Sequence, residues 1–265
     1  MEAFAISDVN SVSGIVRAHK QCIKIALNKK TTAAKRLSSC PRLIPATKLI
    51  LENGMCLNAL APTKKAWGDL SRLLSKCHLS SPKGQCKTNI NDVLEFGSNL
   101  ILLLHPHTKT LSGKQYPDHW SDESKVIVNA FGNRCYFLMS PIYDGKDGVR
   151  FNYLSKTSKE FGIPTIASAS PVMHAGTRRK LTDILTCIRK GCQIDSLGYS
   201  AQTNSENRMR NQSEMLQIFK GFEGSVYRTG EVSNLCNFSL SELSQDYPSE
   251  AVSYTHLTLP TNREV

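Results

Sequence analysis

The chain alternates short apolar runs with stretches of helical spacing. Ala3 to Ile6 forms a short apolar strand that ends in the turn Ser7-Asp8-Val9-Asn10, and a helix is expected from about Val12 to Asn28. Arg42 to Leu51 has strand character, and Asn53-Gly54 turns it back into Met55 to Leu60 as a hairpin. Trp67, Leu70, Leu73, Leu74 and Cys77 share one face of a helix. A Pro-Lys-Gly loop at 82–84 follows, then a short helix from Ile90 to Phe96 that Gly97 ends. Leu100 to Leu104 is continuously apolar, as expected for a strand covered on both faces. Residues 105–124 are rich in His, Pro, Ser and Gly and read as a loop. Arg134 to Met139 is another strand, Val149 to Phe161 a helix, and Gly162-Ile163-Pro164 turns it into a strand from Thr165 to Ser168. Leu181, Ile184, Leu185 and Ile188 form an i, i+3, i+4, i+7 stripe closed by Gly191, and Ser213 could cap a last short helix through Phe219.

Repeated strand–helix units with apolar strands predict an α/β fold with parallel strands. In such folds chemistry gathers at the C-terminal ends of the strands. That rule directs attention to Asp8, just after the first strand, and to the segment from Ser168 to His174, just after a late one.

Composition narrows the class. The 265 residues suffice for one large domain or two small ones, and 40% hydrophobic and 21% charged residues fit a globular chain rather than a disordered or fibrous one. The formal net charge of +11 attracts polyanions, of which nucleic acid is the commonest. That charge is spread out, with short clusters at Lys29-Lys30, Lys64-Lys65 and Arg178-Arg179-Lys180. The nine cysteines are odd in number and none has C-x-x-C spacing, which excludes finger and ribbon zinc sites and suggests reduced thiols. The N-terminus lacks the pattern of a signal peptide, and no apolar run is long enough to span a bilayer, so a cytoplasmic chain is expected.

Several motifs then fall in order. The segment from Phe4 to His19, FAISDVNSVSGIVRAH, resembles the "ITD", "NSLAG" and "VVRAH" signature of error-prone C-family DNA polymerases. Trp67 to Leu74 resembles the family's "YGxLxRLL" helix, and Lys83 to Cys86 its "KGQC" loop. Leu185 to Cys192 resembles "LTCIRxGC", and Phe238 to Leu243 with Tyr247-Pro248 resembles "FSLDELxYEYP". The match runs collinearly over about residues 3–250, and the "VVRAH" and "KGQC" stretches favour the error-prone branch over its replicative paralogue. The resemblance implies a PHP domain, a distorted seven-stranded β/α barrel, here without its first strand–helix unit. On this reading residues 1–225 form the barrel and 226–251 lead to a polymerase palm that should follow. The segment 252–265 does not resemble the family; it matches the translation of a sequencing-library adapter and is set aside.

Active PHP domains bind several metal ions through His, Asp and Glu at strand ends, and the ions activate a water against a phosphoester. This sequence departs from that pattern. Asp8 matches the Asp of "TDH", but the following His is Val9. The glutamate that the resemblance places after the barrel's third strand falls near Lys48, whose ammonium would repel a cation. The late "DxH" appears as Ser170-Pro171-Val172, leaving His174 as the nearest imidazole. Asp8 and His174 are thus remnants of a metal site at best, with a helix cap and an ordinary loop histidine as the plainer readings. His105 and His107 flank Pro106 in H-x-H spacing, with a loop as the plainer reading. Arg178, Arg179 and Lys180 precede a helix and could contact phosphates, or simply form a solvated face. Cys187 and Cys192 lie five apart and are expected to serve packing.

The resemblance implies error-prone translesion DNA synthesis by the intact polymerase, with Mg²⁺ and nucleotides bound downstream, and DNA, translesion or replisome proteins and the rest of the polymerase chain as partners. Within that protein the expected role is structural. The competing expectation is a metal-dependent phosphoesterase or 3′–5′ exonuclease that uses Zn²⁺ or Mn²⁺ in the barrel. A third, resting on charge alone, is an independent nucleic-acid-binding module.

Overall fold

A computed structural model describes residues 2–28, 41–106 and 118–243. Its centre is one six-stranded sheet in the order β1 (Ala3–Val9), β2 (Arg42–Ile50), β3 (Cys56–Leu60), β4 (Ile101–Leu104), β5 (Cys135–Met139) and β6 (Thr165–Ala167). The β1–β2, β4–β5 and β5–β6 pairs are parallel, and β3 is antiparallel to both neighbours. The parallel arrangement is interrupted at β3, where the expected Asn53-Gly54 hairpin turn is too short for a crossover. Five strands still end at the same edge. The sheet curls into a half-barrel rather than closing, and eight α-helices accompany it among the described residues.

These helices are α1 (Ser13–Asn28), α2 (Lys64–Leu79), α3 (Ile90–Phe96), α4 (Asp118–Phe131), α5 (Asp147–Phe161), α6 (Arg179–Lys190), α7 (Gln212–Ile218) and α8 (Glu223–Leu235). Strand side chains alternate between faces, so each strand divides its apolar residues into two sets. Leu49, Leu57, Ala59, Leu102, Leu104, Cys135 and Phe137 pack outward against α2, α3 and α4. Ile44, Ala46, Leu60, Ile101, Leu103, Tyr136, Leu138 and Ile166 face the concave side, where Val232 and Cys236 cover them. Beyond β5 and β6, Met139 and Ala167 meet Phe151, Phe219 and Val226.

The C-terminal part of α8 closes the concave face near the strand starts. The Arg42 guanidinium donates to Ser233 O and to Asn237 Oδ1, and Arg228 donates to Thr165 O at the outer edge of β6. That contact covers an edge strand that would otherwise present open backbone groups. At the opposite end, among the described residues, β1 pairs only with β2.

Several local expectations need correcting. Residues 118–124 are the start of α4 and not loop. Helix α7 is capped by Asn211, not Ser213: the Asn211 side chain accepts from Glu214 N–H while Glu214 accepts from Asn211 N–H. It is not the last helix either, since α8 follows, with too little periodicity to announce itself. The stripe on α6 faces outward: Leu181, Ile184, Leu185 and Ile188 are exposed, and the helix instead buries Asp183, Thr186 and Cys187. Cys187 and Cys192 belong to the end of that helix. Gly191 takes φ 64, and Cys192 N–H donates to Cys187 O, so the two cysteines flank a left-handed helix cap.

Replacing Ile188 by Lys should change stability by no more than about 0.5 kcal/mol, because the side chain is solvated. Leu102→Ala, at a site with no exposure, should cost about 2–5 kcal/mol. Urea denaturation of the two variants tests this orientation of α6.

Candidate functional site at the strand ends

The common edge formed by the C-terminal ends of β1, β2, β4, β5 and β6 carries the chain's unusual backbone. Asn10, Tyr143 and Ser170 are the non-glycine residues with positive φ among those described, and they follow β1, β5 and β6. Left-handed conformations at non-glycine positions carry a cost that persists where surrounding contacts fix the loop. At Asn10 those contacts are explicit. Its N–H donates to Lys48 O, its Oδ1 accepts from Ile50 N–H, and its carbonyl lies 2.9 Å from His78 Nε2. Its Nδ2 reaches Cys86 O, so the turn after β1 and the Lys83–Cys86 loop form one unit.

Asp8 lies within this edge but on the outer side. It pairs with Thr47, whereas Val9 pairs with Lys48, and neighbouring residues of a strand face opposite ways. The Asp8 carboxylate accepts from Gly14 N–H at 2.7 Å, at the start of α1. Thr47 Oγ1 donates to Asp8 O and accepts from Ser11 N–H. A Cβ at position 14 would come within 2.6 Å of Asp8 Oδ2, so this cap requires glycine there.

The concave side of the edge holds different chemistry. Val9, Lys48, Asn58, His105, Ser140 and Ser168 continue the alternation set by Ala46, Leu60, Leu103, Leu138 and Ile166. Lys48 and Asn58 are directly opposite on β2 and β3. His105 Nε2 lies 3.1 Å from Asn58 Oδ1, and His105 N–H donates to Cys56 O. Burial, and then the charge of Lys48, push the His105 imidazole down to about 4, so it is neutral near pH 7. Ser140 and Ser170 share a hydrogen bond of 2.9 Å between hydroxyls, and Ser170 N–H donates to Ser168 Oγ.

His174 lies in the loop after β6 and is exposed. Backbone bonds from Val172 and Met173 to Asn207 O tie that loop down, and Met173 is buried while His174 is not. Arg178 and Lys180 are exposed at the start of α6, and Arg179 Nε sits 3.7 Å from Asp183 Oδ2. His107 lies outside the described residues. Among the described residues no three His, Cys, Asp or Glu side chains gather as a cation site. Lys48 and Val9 occupy the concave positions next to Asp8, and the Asp8 carboxylate is turned to the helix. This donor set does not fit the metal cluster that the sequence resemblance implies. The ammonium at Lys48 was legible in the sequence; the Asn58–His105 pair was not, because β3 and β4 are linked by 40 intervening residues.

With this geometry in view, comparison with known proteins is informative. No family model matches the chain. It is similar, along nearly its whole length, to error-prone DNA polymerases. Error-prone DNA polymerase 1 of Rhizobium meliloti (strain 1021) is 30% identical over 253 residues, covering 94% of this chain and 21% of that protein. The error-prone DNA polymerase of Ruegeria pomeroyi is 27% identical over 274 residues, covering 94% and 24%. That of Saccharophagus degradans is 29% identical over 251 residues, covering 94% and 22%. The chain thus spans little more than a fifth of the length of these relatives.

Two outcomes are expected here. Asp8→Ala should lower stability by about 1 kcal/mol through loss of the α1 cap, seen as a lower denaturation midpoint at pH 7. The second concerns His105. Its folded pKa is lowered from the ordinary 6.5 to about 4. The unfolded chain therefore binds a proton that the folded chain does not as pH falls through that window. The corresponding stability is complete above pH 6.5 and is lost between 6.5 and 4, on the order of 3 kcal/mol in all. His105→Gln should flatten this part of a urea-midpoint profile measured from pH 8 to 4.

Proposed function

We propose that this chain is the PHP domain of an error-prone, translesion DNA polymerase, serving a structural rather than a catalytic role. The observation that carries the reading is similarity to error-prone DNA polymerases over 94% of the chain at about 30% identity, with motifs in collinear order. The half-barrel is compatible with a PHP-type barrel whose remaining strand comes from a segment outside the described residues. In this reading the domain braces the polymerase core, and Mg²⁺-dependent nucleotidyl transfer onto DNA takes place elsewhere in the full polymerase. Residues 1–225 would be the barrel, 226–251 the passage toward the palm, and 252–265 foreign to the domain.

Contacts across the chain support one unit extending past residue 225. Trp67 of α2 stacks on Phe238 with ring centroids 6.0 Å apart, and Asn237 and Phe238 both donate to Pro62 O. Arg178 and Lys180 are offered as phosphate contacts. Cations at a helix start oppose the helix dipole, a cost that a bound polyanion would offset.

The alternative, a phosphoesterase or exonuclease using Zn²⁺ or Mn²⁺ held by Asp8 and His174, is disfavoured by the outward Asp8 and by Lys48. The test has two parts. This chain should show no turnover of a model phosphoester or a 3′-ended DNA when titrated with Mn²⁺ or Zn²⁺. A chimera carrying residues 3–243 in place of the matching region of the Rhizobium meliloti polymerase should retain primer extension, including past a template lesion. Metal-dependent turnover that disappears in His174→Ala would overturn the structural reading, and a folded but inactive chimera would overturn the assignment to the polymerase.

A further inference from the structure

The concave end of the half-barrel presents a cation with no partner among the described residues. Lys48 projects from β2 onto the same face as Ala46 and beside Asn58 of β3. Among the described residues its ammonium takes part in no ion pair and no hydrogen bond. The carboxylate of the adjoining strand, Asp8, is on the other face and bonded to Gly14. The floor below Lys48 is apolar: Ile44, Ala46, Leu60 and Leu103. A half-buried ammonium above such a floor gains from an anion in contact.

The groups around the ammonium are neutral donors. With the Asn58 amide as it stands, His105 Nε2–H donates to Asn58 Oδ1, and the Asn58 NH₂ is left to donate outward. Ser140, Ser168 and Ser170 follow β5 and β6, further along the same edge, and bond to one another. Val9, 55% exposed, sits beside Lys48 and leaves the approach open.

We infer that the concave strand-end face binds a phosphate-type oxyanion through Lys48 and Asn58, in place of the divalent cations such an edge would hold if it were lined by carboxylates. The ligand chemistry is that of a phosphate dianion, whether a free ion or the terminal phosphomonoester of a nucleic-acid strand. This inference is independent of the polymerase assignment, since it rests only on which side chains share the concave face.

The test uses the full chain in chloride buffer. Inorganic phosphate is titrated by calorimetry, and the His105 ring is followed by nitrogen NMR. The expected result is saturable one-to-one binding that shifts the His105 signals. Lys48→Met and Asn58→Asp should each weaken it about tenfold or more, since each removes or neutralises one charge-assisted contact. Circular dichroism confirms that the variants are folded; Asn58→Asp keeps the side-chain volume and serves if Lys48→Met is not. Short oligonucleotides with a 5′-phosphate or a 5′-hydroxyl separate the two sources. Tighter binding of the phosphorylated strand than of inorganic phosphate identifies a strand end, and the reverse order identifies the free ion. No saturable binding of either, undiminished binding in folded Lys48→Met and Asn58→Asp, or stoichiometric Mn²⁺ or Zn²⁺ uptake that is lost in His105→Gln would overturn the inference.

Discussion

Everything in this fold follows from a curled sheet that must be buried on both sides. With five strands ending at one edge, the alternation of side chains decides twice for each strand: which residues meet the helices and which face the concavity. The outward set is large and aliphatic and packs under α2, α3 and α4. The inward set is similarly apolar near the strand starts, where α8 covers it, and turns polar only at the strand ends. The location of chemistry is therefore a consequence of where the covering helix stops.

The same alternation gives Asp8 and Val9 opposite fates. A carboxylate one position away from the concave face is structurally useful and chemically remote. It holds the first turn of α1 through Gly14, and its own backbone carbonyl is held by Thr47. A one-residue difference in position along a strand thus separates a cap from a ligand. Lys48, on the concave side, sets the electrostatics instead: it contributes to keeping His105 neutral and leaves the strand ends with a surplus of positive charge and donors.

Much of the fold was legible because its elements carry strong local signals. The run from Leu100 to Leu104, the Asn53-Gly54 hairpin and the face of α2 are fixed by apolar periodicity and turn chemistry, and all lie within a residue or two of expectation. The failures have equally specific causes. Helix α4 follows a stretch rich in Pro, Ser and Gly, which hid its start. Helix α8 mixes Gly, Ser and Thr along both faces and packs by shape at Ser225, Val226 and Val232 rather than by a stripe. The stripe on α6 is real as a pattern, but periodicity does not name the partner, and among the described residues that face meets solvent. At the site, the departures at Val9 and Lys48 could be seen in advance. The Asn58–His105 contact depends on the antiparallel register of β3 and β4, which no spacing in the sequence reveals.

Four of the motifs that suggested a polymerase relative turn out to be contacts in pairs. The turn at Asn10 is bonded to Cys86 of the Lys83–Cys86 loop and to His78 at the end of α2. Trp67 at the start of that helix stacks on Phe238, and Lys64 reaches Glu242 O. Segments separated by 76 and by 171 positions are thereby joined through the same helix. None of these residues lines the concave face. Their positions are explained by the need to lock β1, α2 and the chain's later segments into one body. The concave strand ends face no such demand. An ammonium there in place of a carboxylate changes what the surface attracts without loosening the frame.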